Sequence, residues 1–201
     1  MLLNEEINRI KILMRINENK KSKNLFSSFD ILNFKNAPPP LDNSDETKKE
    51  IKFLKSIDLE KRFVQEKDNI VGNFEEFLKS NDINNNSLVV SIYNDSRKVI
   101  LDLKNFYKRP RPFRLDPKLT DPMLKSMEGF SYPSGHSTQS NLIYLVLSHK
   151  YPKFKKQLKQ IKDDIVYSRQ MAKAHYPSDI KFGEKLAKSM FEYLKDNNLL
   201  P

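Results

Sequence analysis

The sequence has no cysteine and no tryptophan among its 201 residues, and only four glycines. The missing cysteine excludes disulfides, thiolate metal centres and a cysteine nucleophile. With so few glycines, no glycine-rich phosphate loop is present. Long apolar runs are absent too. The longest, from Leu142 to Leu147, has six residues, whereas a membrane-spanning helix needs about 20. A mean hydropathy of −0.68 agrees with that. Near the start, Leu3, Ile7, Ile10 and Met14 recur at helical spacing, but Glu5, Glu6, Arg9, Lys11 and Arg15 break the apolar face. A secretory signal needs an unbroken apolar stretch and a small-residue cleavage site, so none is read here.

Positive charge is abundant. Lys and Arg total 36 against 26 Asp and Glu, for a formal charge of +10 with the three histidines neutral. Such a balance suits nucleic acid, an anionic membrane surface or a small anionic substrate. The surplus is uneven: residues 97–125 carry +6, residues 150–201 carry +6, and residues 126–149 between them carry −1. A nucleic-acid tail is usually one continuous basic block. Two basic segments flanking a nearly uncharged one fit an anion site assembled from separate parts of the chain, with many C-terminal lysines left as solvated surface.

The length fits one domain, with a core large enough to stand without staples. We place a boundary at Pro38-Pro39-Pro40, a stiff extended run. Residues 1–36 then form an amphipathic helix and a loose linker, and residues 37–201 the main domain. Asp45 to Leu59 reads as a helix offering Ile51, Leu54 and Leu59 to the core. Phe74, Phe77 and Leu78 mark another, and 81–87 is a turn rich in Asn. Leu88 to Tyr93 has strand propensity, yet Leu88, Ile92, Val99, Leu103 and Phe106 continue at helical spacing, and helix is the preferred reading. Five prolines between Pro110 and Pro133 impose a loop. Helices resume over 137–148 and 154–174. Pro177 interrupts, and Ser178 or Asp179 caps a last helix bearing Ile180, Leu186, Met190 and Leu194. The fold class is all-α, a single-domain helical bundle with a Pro-rich loop.

Three short segments carry chemistry. The first runs from Lys104 to Arg111, Pro112 and Phe113; the second is Tyr132-Pro133-Ser134-Gly135-His136; the third has Ser168, Arg169, His175 and Asp179. Each alone is ordinary. Lys and Arg seven apart share a helix face, Pro-Ser-Gly is a common turn, and a lone His is more often structural than catalytic. Together, in this order, they resemble the signature of the type 2 phosphatidic acid phosphatase superfamily, which includes vanadium haloperoxidases: Lys-x6-Arg-Pro, Pro-Ser-Gly-His, and Ser-Arg-x5-His-x3-Asp. The stretch Gly129-Phe130-Ser131-Tyr132-Pro133-Ser134-Gly135-His136-Ser137 is similar to that of soluble bacterial class A non-specific acid phosphatases, as is the Arg-Pro-Phe ending at Phe113. The likeness covers about 37–190.

The resemblance implies a helical bundle of the acid phosphatase and haloperoxidase type, and an enzyme acting on a small phosphomonoester. A phosphate monoester is nearly dianionic near pH 7, and its transfer demands positioning and charge stabilisation above all. Lys104, Arg111 and Arg169 supply positive charge, and an Arg fork can hold two oxygens at once. Ser134 offers a hydroxyl, and Gly135 a backbone N–H at a helix start. By the resemblance, His175 is the nucleophile forming a phosphohistidine, Asp179 orients it, and His136 is the general acid and base. No metal and no cofactor are implied; vanadate is expected to bind as a transition-state mimic. His149 receives no role, Tyr176 is read as packing, and Lys108 and Arg109 are read as steering anions.

Alternative readings are a lipid phosphate phosphatase at a membrane surface, a vanadate-dependent haloperoxidase, and a non-catalytic basic module for nucleic acid or a virion. No obligate nucleic-acid partner and no transmembrane segment are expected, and peripheral membrane contact stays open. Only 22 residues follow Asp179, so the final packing helix is expected to be either truncated or supplied by a partner subunit, and a homo-oligomer is expected. Without an export signal a cytoplasmic or virus-encoded intracellular protein is favoured; the periplasm is the alternative if a signal precedes the sequence.

Overall fold

The computed structural model describes residues 24–119, 124 and 127–200, and among them every regular element is helical. The amphipathic stretch expected around Leu3 to Met14 lies outside the described residues, as does part of the Pro-rich loop. In chain order the helices are α1 (Leu32–Lys35), α2 (Asp45–Lys55), α3 (Lys61–Asp68), α4 (Ile70–Ser80), α5 (Asn86–Tyr107), α6 (Pro112–Leu115), α7 (Gly135–Lys150), α8 (Lys155–Met171) and α9 (Pro177–Asp196). A 3₁₀ turn, Pro152–Phe154, joins α7 to α8.

The centre is α7, which packs most extensively on α9, then on α8 and α5. Leu142, Ile143, Val146 and Leu147 supply its apolar contact. Its first two turns are buried but polar, and three of their side chains find backbone partners, while the buried Ser140 hydroxyl has none among the described residues. The Thr138 hydroxyl donates to the Ser134 carbonyl at 2.9 Å, Asn141 to the Ser137 carbonyl at 2.8 Å and Gln139 to the Tyr93 carbonyl at 2.9 Å. Most buried polar groups in proteins are satisfied in this way, and these bonds let the helix start be polar where the chemistry lies. The long α5 buries Val89, Ile92, Ser96, Val99, Ile100 and Leu103. That is a 3.6-residue period, so the helix reading prevails over strand propensity. Leu158 and Ile165 of α8, and Leu186, Met190 and Leu194 of α9, close the core.

Several local expectations change. The first core helix stops at Lys55, leaving Leu59 in the following loop, packed half-buried against a smaller cluster of Val64, Met127, Met171, Ala172 and Ala174. The polar helix α3 has no counterpart in the sequence reading, because only Val64 among its eight residues is buried. Pro177 starts α9 instead of interrupting it: it occupies the first turn, where its missing N–H costs nothing, and Tyr176 is the cap position. Residues 24–36 do not run as a loose linker. Phe26 and Phe34 are in the main core, and Tyr107 donates its hydroxyl to the Phe34 carbonyl.

The approach of α7 to α9 is set by Gly183. A Cβ there would stand 2.9 Å from the Ser134 carbonyl oxygen and 3.0 Å from the Ser137 Cβ. The Ser137 hydroxyl meanwhile donates to the Ile180 carbonyl at 2.8 Å. Gly183→Ala is expected to cost about 1–3 kcal/mol, or roughly 2–12 °C in Tm. Calorimetry checks this, and an unchanged Tm would mean that the helices separate at no cost.

Candidate active site

Helix ends bring the three sequence segments together. Lys104 stands in the last turn of α5, which closes at Lys108 in the left-handed region (φ 52°). Lys104 and Arg111 therefore do not share a helix face; the chain turns between them, and Arg111 becomes the residue before α6. Ser134 caps α7, its hydroxyl oxygen accepting the Ser137 N–H at 3.3 Å, so Gly135 and His136 occupy the first turn. Helix N-termini present unpaired N–H groups suited to an anion. Arg169 comes from the last turn of α8, and His175 precedes α9. The Ser134 N–H donates to the Asp179 carbonyl at 3.1 Å, tying the second segment to the third.

The hydrogen bonds around His175 define its tautomer. Nη1 of Arg111 donates to Nε2 of His175 at 3.2 Å, and a guanidinium has no acceptor, so Nε2 presents its lone pair. The proton then lies on Nδ1, which faces Oδ2 of Asp179 at 3.4 Å. Burial holds His175 well below its ordinary pKa, and Arg111, Lys104, His136 and Arg169 press it lower still. It is a neutral imidazole inside a ring of cations. Arg111 is itself anchored on carbonyls, donating to Ala174 at 2.9 Å, Glu128 at 3.2 Å and Gly129 at 3.3 Å. Burial brings it down to about 10, with Asp179 opposing. Lys104 donates to the carbonyls of Phe130 at 2.6 Å and Ser131 at 3.2 Å, and burial followed by Arg111 lowers its pKa.

His136 is oriented by a residue that sequence reasoning missed. Its Nε2 lies 3.0 Å from the Asp68 carbonyl oxygen and 3.1 Å from Asp68 Oδ1. Both atoms are acceptors, so Nε2 carries a proton and Nδ1 is the nitrogen that changes state. The same Asp68 Oδ1 takes Nη1 of Arg169 at 2.6 Å, while Nη2 of Arg169 donates to the Val64 carbonyl at 3.1 Å. The C-terminal end of α3 thus links the histidine of α7 to the arginine of α8. Burial lowers the His136 pKa and Arg169 adds to the fall, whereas Asp68 opposes it.

A second missed group sits behind Asp179. Arg109 is 2% exposed and does not steer anions from the surface. Its Nη1 donates to Asp179 Oδ1 at 2.7 Å and to the Ser178 hydroxyl at 2.8 Å. Its Nη2 donates to Glu50 Oε2 at 3.1 Å and the Thr47 hydroxyl at 3.2 Å. The guanidinium lies 3.8 Å from the centre of the Tyr176 ring, which is buried as packing against it. His149 is exposed at the end of α7, against Phe191.

A family model of the PAP2 superfamily matches residues 87–189, half of the chain. The chain therefore belongs to the PAP2 superfamily, and membership supports phosphatase-type activity in general. No curated protein matches the chain. Among the described residues, no helix is long and apolar enough to cross a membrane.

The Asp68 contact yields a prediction independent of turnover. In the free protein the His136 imidazole is expected to titrate below an ordinary histidine, and Asp68→Asn is expected to lower it further. Ring-proton NMR across pH checks this; a His136 pKa that rises in Asp68→Asn contradicts the geometry.

Proposed function

We propose that the protein is a phosphomonoesterase of the acid phosphatase kind, working through a phosphohistidine on His175. The observation carrying this reading is the state of His175: its Nε2 lone pair is turned toward Arg111 while Nδ1 is backed by Asp179. That arrangement suits nucleophilic attack within a cationic pocket, since a protonated imidazole could not attack.

The steps balance on the chain's own residues. Lys104, Arg111 and Arg169 attract the phosphoryl oxygens, helped by the Ser134 hydroxyl and the N–H groups at the start of α7. Nε2 of His175 forms a bond to phosphorus as the bond to the leaving oxygen breaks. Protonated His136 delivers its Nδ1 proton to that oxygen. The phosphorylated ring, now cationic, keeps its Nδ1 proton against Asp179. Neutral His136 next takes a proton from water, whose oxygen attacks phosphorus. The phosphorus–nitrogen bond breaks, its electron pair returns to Nε2, and phosphate leaves with His136 protonated again. Vanadate, adopting the geometry of the transferring group, is expected to inhibit.

The pH profile follows from two depressed histidines. Activity requires neutral His175, so the rate rises as pH climbs through its low pKa. Activity also requires protonated His136, so the rate falls once pH passes its lowered pKa. A bell in kcat/KM with both limbs on the acid side of about pH 6.5 is expected; a rate rising steadily to pH 9 contradicts the assignment. With para-nitrophenyl phosphate, His175→Ala is expected to abolish turnover, and Arg169→Ala to lower the rate by about 10²–10³. Full activity of His175→Ala would remove the proposed mechanism.

A further inference from the structure

Asp179 is wholly buried, and a carboxylate in that position is held ionised only by compensation. Behind it lies a built network. Arg109 spans two acids from different helices, Glu50 on α2 and Asp179 on α9, at 3.1 and 2.7 Å. Glu50 in turn accepts the Ser178 N–H at 2.6 Å through Oε1 and the Ser178 hydroxyl at 2.9 Å through Oε2. The Tyr176 N–H donates to Asp179 Oδ2 at 3.0 Å, so Oδ1 is taken by Arg109 while Oδ2 faces His175. Arg109 is one residue from Pro110 and two from Arg111, so the loop carrying the His175 partner also carries this guanidinium.

We infer that Glu50 and Arg109 form a positioning clamp which keeps Asp179 charged and aimed at Nδ1 of His175. The inference rests on the reading of His175 as nucleophile, and neither clamp residue touches the reacting phosphoryl group. The chemistry follows from charge. Burial raises the Asp179 pKa, and Arg109 is the largest opposing influence, with the Tyr176 N–H and Lys104 acting in the same direction. The other groups facing Asp179 are Arg111, His175, Tyr132 and Tyr176, and Glu50 acts on it through Arg109. If the guanidinium is removed, Asp179 takes up a proton at a pH where it is otherwise ionised. It can then no longer fix the His175 tautomer or balance the ring cation of the intermediate. Glu50 holds Arg109 from the far side, so that the guanidinium is not drawn toward an incoming phosphate.

The test compares wild type with Arg109→Met, Arg109→Lys and Glu50→Gln as full chains, using para-nitrophenyl phosphate across pH and ¹⁵N NMR of the His175 ring. Arg109→Met is expected to lose about 10²-fold in kcat with little change in KM, and its acid limb to move to higher pH. Arg109→Lys keeps the charge and is expected to return the limb to the wild-type position. Glu50→Gln is expected to lower kcat by a smaller factor, and it carries the test should Arg109→Met fail to fold. In the NMR, wild-type His175 is expected to hold its proton on Nδ1, and Arg109→Met to populate both tautomers. Variants with lower rates but unmoved limbs and an unchanged tautomer would overturn the clamp, leaving a role in packing alone. If wild type hydrolyses no phosphomonoester, the functional reading fails; the ring spectra still decide the clamp, a single tautomer in all four proteins overturning it.

Discussion

The burial of several cations close to one another is the constraint on which the site depends. Burial lowers the pKa of Lys104, Arg111 and His175; Arg111 adds to the fall at Lys104, Arg169 adds to it at Arg111, and all three cations add to it at His175. In an interior of low dielectric such repulsion is expensive unless each charge has a partner. The fold answers with carbonyl acceptors for some of these cations and carboxylates for others. Arg111 and Lys104 rest on loop carbonyls, Arg169 on Asp68 and the Val64 carbonyl, and Arg109 on Glu50 and Asp179. The cations converge on the region where the start of α7 presents its own N–H groups. Under the proposed function, a dianionic phosphoryl group is the species that meets this charge.

The same constraint explains why so much of the scaffold consists of helix ends. Side chains reach the site from the last turn of α5, the first turn of α7, the last turn of α8 and the segment entering α9. The α7–α9 contact at Gly183 sets the distance between two of those ends. The smaller apolar cluster around Val64 and Met171 fixes α3 against the end of α8, and so sets Asp68 beside Arg169. Packing and chemistry are joined at these points: a shift in either contact moves a charge relative to His175.

The eight motif residues stood out in the sequence through their order and spacing, which together resemble one family signature, and the structure brings them into one region. The supporting acids could not. Asp68 ends a polar helix with one buried residue, and nothing in KRFVQEKD marks its last position. Arg109 looked like surface because a lysine precedes it and cations are seldom buried. A signal was nevertheless present in α2: Thr47, Glu50 and Leu54 form its buried stripe, and a glutamate on such a stripe requires a cationic partner. Helix limits at Lys55 and Pro177 were misread where a short loop and a first-turn proline mimic continuation and interruption. Packing of 24–36 was illegible because Phe26, Phe29 and Phe34 sit among Asn, Ser and Lys without regular spacing.

The central claim is that the phosphoryl group passes through His175. The most direct measurement is to quench turnover of para-nitrophenyl phosphate in alkali, where phosphohistidine survives, and to map the modified peptide by mass spectrometry. His136→Ala serves alongside wild type to slow the hydrolytic step. Phosphate on His175, accumulating in His136→Ala, is the predicted result. Turnover with no phosphorylated His175, or with phosphate carried on Ser134, would contradict the account.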